Sequence, residues 1–139
     1  MAVITQSVIL PASAEVLFSM YLDASKHEAI TGLPVTIGPS SGDEFSAFGG
    51  ALTGEILAVV EPTLIVQSWR STDFTRDDPD STLILSFSSQ GEAGRIDLVH
   101  VQVPQHDRDA VNKGWHKHYW EPWRAYLGTA NNCGLGSDA

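Results

Sequence analysis

The aromatic side chains near the C-terminus are the residues of this sequence best suited to holding a ligand. Trp115, Tyr119 and Trp123 recur every four residues, so a helix would present them on one face. Large rings offer apolar contact area and stack against flat molecules. Two interpretations stay open: the rings pack the helix onto a sheet as core, or some of them line a cleft and bind a flat apolar ligand.

His100 is the best acid/base candidate in the sequence. It follows Ile96 and Leu98 at every second position, so strand alternation places all three on one face, which the apolar pair marks as the inward one. An unperturbed imidazole titrates near pH 6.5, which suits proton transfer. The alternative is a core histidine with satisfied hydrogen bonds, since no serine or cysteine nucleophile motif accompanies it.

A second strand contributes Trp69 and Arg70. Neighbours on a strand point to opposite faces, so we expect Trp69 to face the cleft and Arg70 to face away from it. Arg70 would then face solvent or pair with an acidic neighbour such as Glu44 or Glu55, and the alternative is that it clamps the carboxylate of a ligand. The same alternation makes Phe87 a candidate for the lining of the cleft.

The acidic loop 71–80 contains four aspartates, which invites comparison with a calcium site. Its spacing lacks the alternating ligands, the glycine and the closing glutamate of a calcium loop. We therefore expect a solvated loop. A mobile lid, in which Phe74 makes the apolar contact with the cleft, is the functional alternative.

The histidines offer no metal site at the level of sequence. His116 and His118 would point about 200° apart on a helix, and no cysteine–histidine cluster has the spacing of a zinc site. His27 and His106 lie in predicted surface segments without a partner. The sequence predicts neither a metal nor a cofactor.

The composition is that of an acidic domain with enough apolar residues for a core. The 139 residues carry 17 acidic and 8 basic side chains, a formal net charge of −9, which disfavours nucleic acid and acidic membranes as partners. No apolar run approaches the roughly 20 residues of a membrane span, and residues 1–10 lack the basic start of a signal peptide. The lone Cys133 can form no internal disulfide, which fits a cytoplasmic location.

The elements that must position these residues begin with a strand over 3–10. A short helix with Ser13 as its N-cap follows, and then a second short helix over 23–29. Consecutive strand candidates separated by short turns predict an antiparallel meander. These candidates span residues 35–37, 43–48, 52–60, 64–70, 81–88 and 95–103.

The last element is predicted as an amphipathic helix over 107–127 that lies on the sheet. Pro122 removes one helical hydrogen bond, so we expect a kink there. This order of elements predicts an α+β fold. We expect a single domain over 1–127 and a disordered tail over 128–139.

Five stretches of the chain resemble the family named after the activator of the heat-shock-protein-ninety ATPase. They are GDEFSAFGG at 42–50, LTGEI at 52–56, EPTLIVQSWR at 61–70, LVHVQVP at 98–104 and GWHKHYWEPWRAYL at 114–127. The resemblance implies the helix-grip fold of the START-like (SRPBCC) superfamily. In this fold a curved antiparallel sheet wraps around a long C-terminal helix, and two short helices follow the first strand. Members include lipid carriers, plant allergens that bind small apolar ligands, and aromatic polyketide cyclases.

Three functions are consistent with these residues and this resemblance. The first is the binding of an apolar or amphipathic molecule, such as a lipid, polyketide or flavonoid, between the sheet and the C-terminal helix. The residues expected to line that cleft are Trp69, Phe87, His100, Trp115, Tyr119 and Trp123. The second is a cyclase or hydratase that uses His100 as acid or base. The third is a protein-interaction module with a chaperone partner, because the resemblance implies a two-domain chaperone activator whose C-terminal domain this chain matches.

Overall fold

A six-stranded sheet forms the framework of the structure, a computed structural model that describes residues 1–128. Its strands are β1 (Ala2–Leu10), β2 (Glu44–Ala47), β3 (Leu52–Val60), β4 (Leu64–Ser71), β5 (Ser81–Gln90) and β6 (Ala93–Val103). They lie in the order β1-β6-β5-β4-β3-β2, and every pairing is antiparallel. The predicted meander is confirmed. From residue 129 onward, the predicted disordered tail lies outside the described residues.

Two short helices, α1 (Ala14–Leu22) and α2 (Ala24–Thr31), follow β1 as predicted. The Ser13 hydroxyl caps α1 by accepting an amide N–H from its first turn at 3.2 Å. The Asp23 carboxylate caps α2 in the same way at 3.1 Å. No helix within residues 1–128 combines the length and the hydropathy needed to cross a bilayer.

Burial alternates along the central strands, so one face of the sheet is apolar and packs inward. On β6, Ile96, Leu98 and His100 are buried and the residues between them are half-buried, which confirms the predicted alternation. On β4 the same pattern buries Gln67 and Trp69. These inward side chains meet the C-terminal helix, which gives the predicted α+β helix-grip fold.

The sequence predicts a strand over 35–37, and the structure does not form one there. Thr36 makes only an isolated bridge with Ser46. Pro34 and Pro39 flank this stretch, and a proline supplies no amide hydrogen to a ladder. The segment therefore crosses β2 once, and the regular partner of β2 is β3.

The C-terminal helix, residues 108–128, changes type along its length. An α-helical segment, α3 (Arg108–Trp115), leads into a π-helical turn (His116–Trp120), and residues 121–128 are α-helical again. The π turn stands directly before Pro122, where the sequence predicts a kink, and the kink itself stays a prediction. A proline ring presses against the carbonyl four residues back, and a π turn at that point widens the spacing.

Candidate ligand-binding cavity

A cavity of about 360 Å³ lies between the C-terminal helix and the strand ends where β3 begins and β4 ends. The helix covers it with α3 and the π turn, and Thr72 and Asp73 of loop 71–80 form part of its rim. The volume falls within the range of pockets that hold small molecules. Most of the lining is apolar, and its larger side chains are Phe48, Leu52, Trp69, Val111, Trp115 and Tyr119.

Three of the six residues predicted to line a cleft do line this cavity, namely Trp69, Trp115 and Tyr119. We call these three side chains the aromatic wall. The ring centroid of Trp115 lies 6.2 Å from that of Trp69 and 4.9 Å from that of Tyr119. None of the three is more than 5 % exposed. Their contact with a ligand stays a prediction.

The other three predicted residues do not line this cavity. Phe87 packs edge-on against a ring of α1. Trp123 is fully buried and stacks on Trp120, with the ring centroids 6.3 Å apart. His100 lies behind the aromatic wall, with its ring centroid 4.7 Å from that of Trp69. The predicted helix face of Trp115, Tyr119 and Trp123 therefore divides. Its first two rings line the cavity, and Trp123 belongs to the core.

His100 is held in one protonation state by its neighbours. The Ser81 hydroxyl donates to the Trp69 carbonyl at 2.7 Å, so it accepts from the N–H at Nε2 of His100 at 2.7 Å. Nδ1 then accepts from the indole N–H of Trp115 at 3.2 Å. Burial lowers the pKa of His100 to about 3. His100 is thus the neutral, hydrogen-bonded core histidine that the sequence leaves open as the alternative to an acid/base.

His27 is a site residue that sequence reasoning misses. It is expected at the surface without a partner, yet it is fully buried. Its Nδ1–H donates to the Tyr21 carbonyl at 2.7 Å, and its Nε2 accepts from the Tyr119 hydroxyl at 2.8 Å. Burial lowers the pKa of His27 to about 4. The available signal was its spacing from Ile30, a buried residue three positions on and hence on the same face of α2.

Tyr119 is fixed from behind by this histidine while its ring faces the cavity. Burial raises the pKa of the Tyr119 phenol, so the hydroxyl stays protonated and donates. Beside it, Tyr21 donates to the side-chain oxygen of Gln67 on β4. These bonds join α1, α2, β4 and the C-terminal helix behind the aromatic wall.

Trp120 is a second residue that sequence reasoning misses. At about 100° per residue it would lie about 140° from Trp115 around a regular helix. The π turn brings both rings to the same side, with centroids 5.7 Å apart, and buries Trp120. The indole N–H of Trp120 donates to the Gln6 side-chain oxygen at 2.7 Å. Gln6 in turn donates to the carbonyl of Asn112, which ties the helix to β1.

Arg70 is turned away from the cavity, as alternation predicts, but its predicted partners are wrong. It forms an ion pair with Asp80 at 3.1 Å instead of with Glu44 or Glu55. It also donates to main-chain carbonyls of loop 71–80 at 2.7 and 2.8 Å. Arg70 thus holds the loop rather than a ligand carboxylate.

Loop 71–80 lies against the aromatic wall through Phe74. This ring is 7 % exposed, and its centroid is 5.8 Å from that of Trp69. Asp78 accepts from Nε2 of His106 at 3.0 Å, so His106 is not the unpartnered histidine expected from the sequence. Within residues 1–128 no group of three or more histidine, cysteine or acidic side chains is placed to hold a metal.

Two carboxylates, Asp73 and Asp107, belong to the cavity lining. Asp107 is 7 % exposed, and its side chain caps no helix. Burial and the negative charges of Asp73 and Asp78 raise the pKa of Asp107, while His106 acts in the opposite sense. The cavity therefore combines an aromatic wall with an acidic end.

A family of known proteins covers most of the chain. The family described as Activator of Hsp90 ATPase homolog 1-like protein matches residues 11–128. A relative from Dictyostelium discoideum, named Activator of 90 kDa heat shock protein ATPase homolog, is 23 % identical over 99 residues. That match covers 70 % of this chain and 26 % of the relative, so the chain spans about a quarter of that protein.

Solved structures share the fold at low identity. The crystal structure of PFC0360w, an HSP90 activator from Plasmodium falciparum, has a TM-score of 0.83 at 23 % identity, covering 92 % of this chain and 97 % of that one. CalU16 from Micromonospora echinospora has a TM-score of 0.72 at 21 % identity, covering 91 % of this chain and 74 % of that one. Since the family match extends over residues 11–128, the chain belongs to the Activator of Hsp90 ATPase homolog 1-like family.

Proposed function

We propose that this domain binds a small apolar or amphipathic molecule in the cavity under the C-terminal helix. The observation that carries the proposal is the aromatic wall, whose Trp115 and Tyr119 are fixed from behind by hydrogen bonds to His100 and His27. Rings held in place before binding lose little conformational entropy when a ligand arrives. Ligand contact through Trp69, Trp115 and Tyr119 is part of the proposal.

Calorimetric titration with a panel of fatty acids, flavonoids and aromatic polyketides tests this function. We expect at least one class to bind with micromolar affinity and with a negative heat-capacity change, the mark of apolar burial. Absence of heat across the whole panel at each of two temperatures would contradict the proposal, because binding with a heat-capacity change cannot be athermal at both.

A cavity-filling variant provides the matched test. Gly114 lines the cavity, and a Cβ atom there would meet its nearest neighbour, a ring carbon of His118, at 3.7 Å. Gly114→Leu is therefore expected to occupy the cavity without a backbone clash and to reduce binding at least tenfold. Lys113→Leu is the control, because Lys113 is exposed on the same helix and does not line the cavity.

A chaperone partner is the second candidate function, and the family match favours it. We propose that the domain binds the chaperone named in the family description through its surface rather than through the cavity. Pull-down with that chaperone, together with a modest rise in its ATPase rate, tests this. Gly114→Leu should leave such an interaction unchanged, which separates the two functions.

A cyclase or hydratase based on His100 has less support. The histidine is fully buried, bonded at both ring nitrogens and absent from the cavity lining. An acid/base must reach the proton that it moves. We therefore favour binding over catalysis by His100.

A further inference from the structure

We propose that the cavity selects amphipathic amines, with the ammonium group at Asp107 and Asp73 and the apolar body against the aromatic wall. The proposal rests on the binding function above and adds the class of ligand. It predicts that anionic amphiphiles such as fatty acids bind worse than amines of the same shape.

Asp107 is the less exposed of the two carboxylates in the cavity lining. Its side chain is only 7 % exposed, and it lies in the cavity lining. Its carboxylate makes no hydrogen bond with the residues that the structure describes, although it stands beside the first turn of α3, where it could cap the helix. The two fully buried side-chain atoms without a partner among the described residues are both indole nitrogens, so the Asp107 oxygens are open to the cavity rather than sealed in the core. A carboxylate in such a largely apolar lining is stabilised by a bound cation.

The charges around Asp107 point to the same ligand. Asp73 shares the cavity lining, and Asp78 adds a second negative charge nearby. Two arginines of this region are engaged elsewhere, since Arg70 pairs with Asp80 and Arg108 pairs with Asp109. The imidazole of His106 contacts Asp78, and the exposed Arg76 and Lys113 lie outside the cavity lining. Within residues 1–128 no ion pair neutralises Asp107, so a positive group is what the acidic end lacks.

The aromatic wall suits the rest of such a ligand. Trp69 and Trp115 present indole rings, the strongest partners for cation–π contact among side chains, and Tyr119 adds a phenol ring. An ammonium group near Asp107 would lie at the edge of this aromatic surface, and an attached alkyl or aryl body would cover it. A carboxylate ligand would instead face two like charges.

Three probes of one shape test the proposal: 4-phenylbutylamine, 4-phenylbutanol and 4-phenylbutyrate. Titration calorimetry near neutral pH should give tightest binding for the amine, about tenfold weaker binding for the alcohol, and weakest binding for the acid. Equal or tighter binding of the alcohol would overturn the amine preference while leaving apolar binding in place. Absence of binding by all three would overturn both proposals.

Substitutions at Asp107 and Asp73 test whether these carboxylates cause the preference for the amine over the alcohol. Asp107→Asn should reduce amine affinity about tenfold and leave alcohol affinity within twofold, and Asp73→Asn should act in the same sense with a smaller effect. Asp77→Asn is the control, since it also removes one negative charge, from the loop that carries Asp73, at an exposed residue outside the cavity lining. Alcohol binding also verifies that each variant is folded. An amine preference that survives Asp107→Asn, or that Asp77→Asn abolishes equally, would overturn the assignment.

Discussion

The aromatic wall separates two regions with different polar chemistry. On its core side, both ring nitrogens of His27 and both ring nitrogens of His100 have hydrogen-bond partners. The buried indole nitrogens of Trp69 and Trp123 are the exceptions, with no partner among the described residues. On the cavity side, Asp107 is nearly as buried and has no hydrogen bond to its carboxylate. The satisfied imidazoles support the fold, whereas the Asp107 carboxylate lies in the cavity lining, where a ligand can reach it.

Lowering the pH should have the largest effect on stability, through the two buried histidines on the core side of the aromatic wall. The pKa values of His27 and His100 are lowered to about 4 and about 3, below the value near 6.5 of the unfolded chain. Between these values the unfolded state binds more protons, so stability is full above pH 6.5 and falls as the pH drops. Each histidine contributes up to about 1.4 kcal/mol per pH unit. Urea unfolding should therefore give a free energy several kcal/mol lower at pH 4.5 than at pH 7, and equal values would contradict neutral buried imidazoles.

Removing one partner on the core side should be the next largest effect. His100→Leu leaves the Trp115 indole N–H without an acceptor, so we expect the free energy of unfolding to fall by about 2–4 kcal/mol. Trp115→Phe added to His100→Leu removes the orphaned donor and should cost less than the sum of the two single changes. The exposed His116→Leu serves as control in urea titrations. Strict additivity would show that the bond is not a coupled contact.

Removing the negative charge of Asp107 on the cavity side should raise the free energy of unfolding, whereas the changes on the core side lower it. Because burial and neighbouring carboxylates raise the pKa of Asp107, its charged form destabilises the fold at pH 7. Asp107→Asn is therefore expected to raise the free energy of unfolding by up to about 1 kcal/mol, while Asp77→Asn leaves it nearly unchanged. A variant that is more stable and binds amines more weakly would identify Asp107 as a residue kept for binding. A clear loss of stability would contradict the comparison.

The smallest effect is expected where the polar groups lie outside both regions. Arg70 is about one third exposed, and it binds loop 71–80 through one ion pair and two carbonyl contacts. Arg70→Met should lower the free energy of unfolding by less than about 1 kcal/mol, since exposed ion pairs contribute little. Amide hydrogen exchange in loop 71–80 should nevertheless become faster. Unchanged exchange would show that Phe74, packed on Trp69, holds the loop by itself.

The fold can be predicted from the sequence, and so can the three residues of the aromatic wall, which are half of the six residues predicted to line the cleft. Burial alternates with a period of two on β4 and β6, and Trp115 and Tyr119 are four residues apart on a helix. Such local patterns predict which side chains face inward, because the apolar face of each element packs on the core. The family resemblance supplied the wrapped arrangement of sheet and helix. The burial of the inward residues on β4 and β6 follows from local alternation alone, because each residue needs only its own strand to be placed.

What the sequence could not supply depends on contacts between distant elements. His27 looks like a surface residue until α2 packs against the C-terminal helix and brings Tyr119 to it across 92 positions of sequence. Trp120 lies off the apolar arc until a π turn alters the helical period. Asp107 reads as an ordinary residue at a helix start, and only the cavity around it makes its unpaired carboxylate notable.

The four tryptophans of the chain form one continuous series of rings. The centroid separations are 6.2 Å from Trp69 to Trp115, 5.7 Å from Trp115 to Trp120 and 6.3 Å from Trp120 to Trp123. Indole rings this close exchange excitation energy, so light absorbed by Trp123 in the core can be emitted beside the cavity. The protein thus has a single optical reporter that extends from its interior to its proposed binding surface, and fluorescence of the whole chain would register events at Trp69 and Trp115.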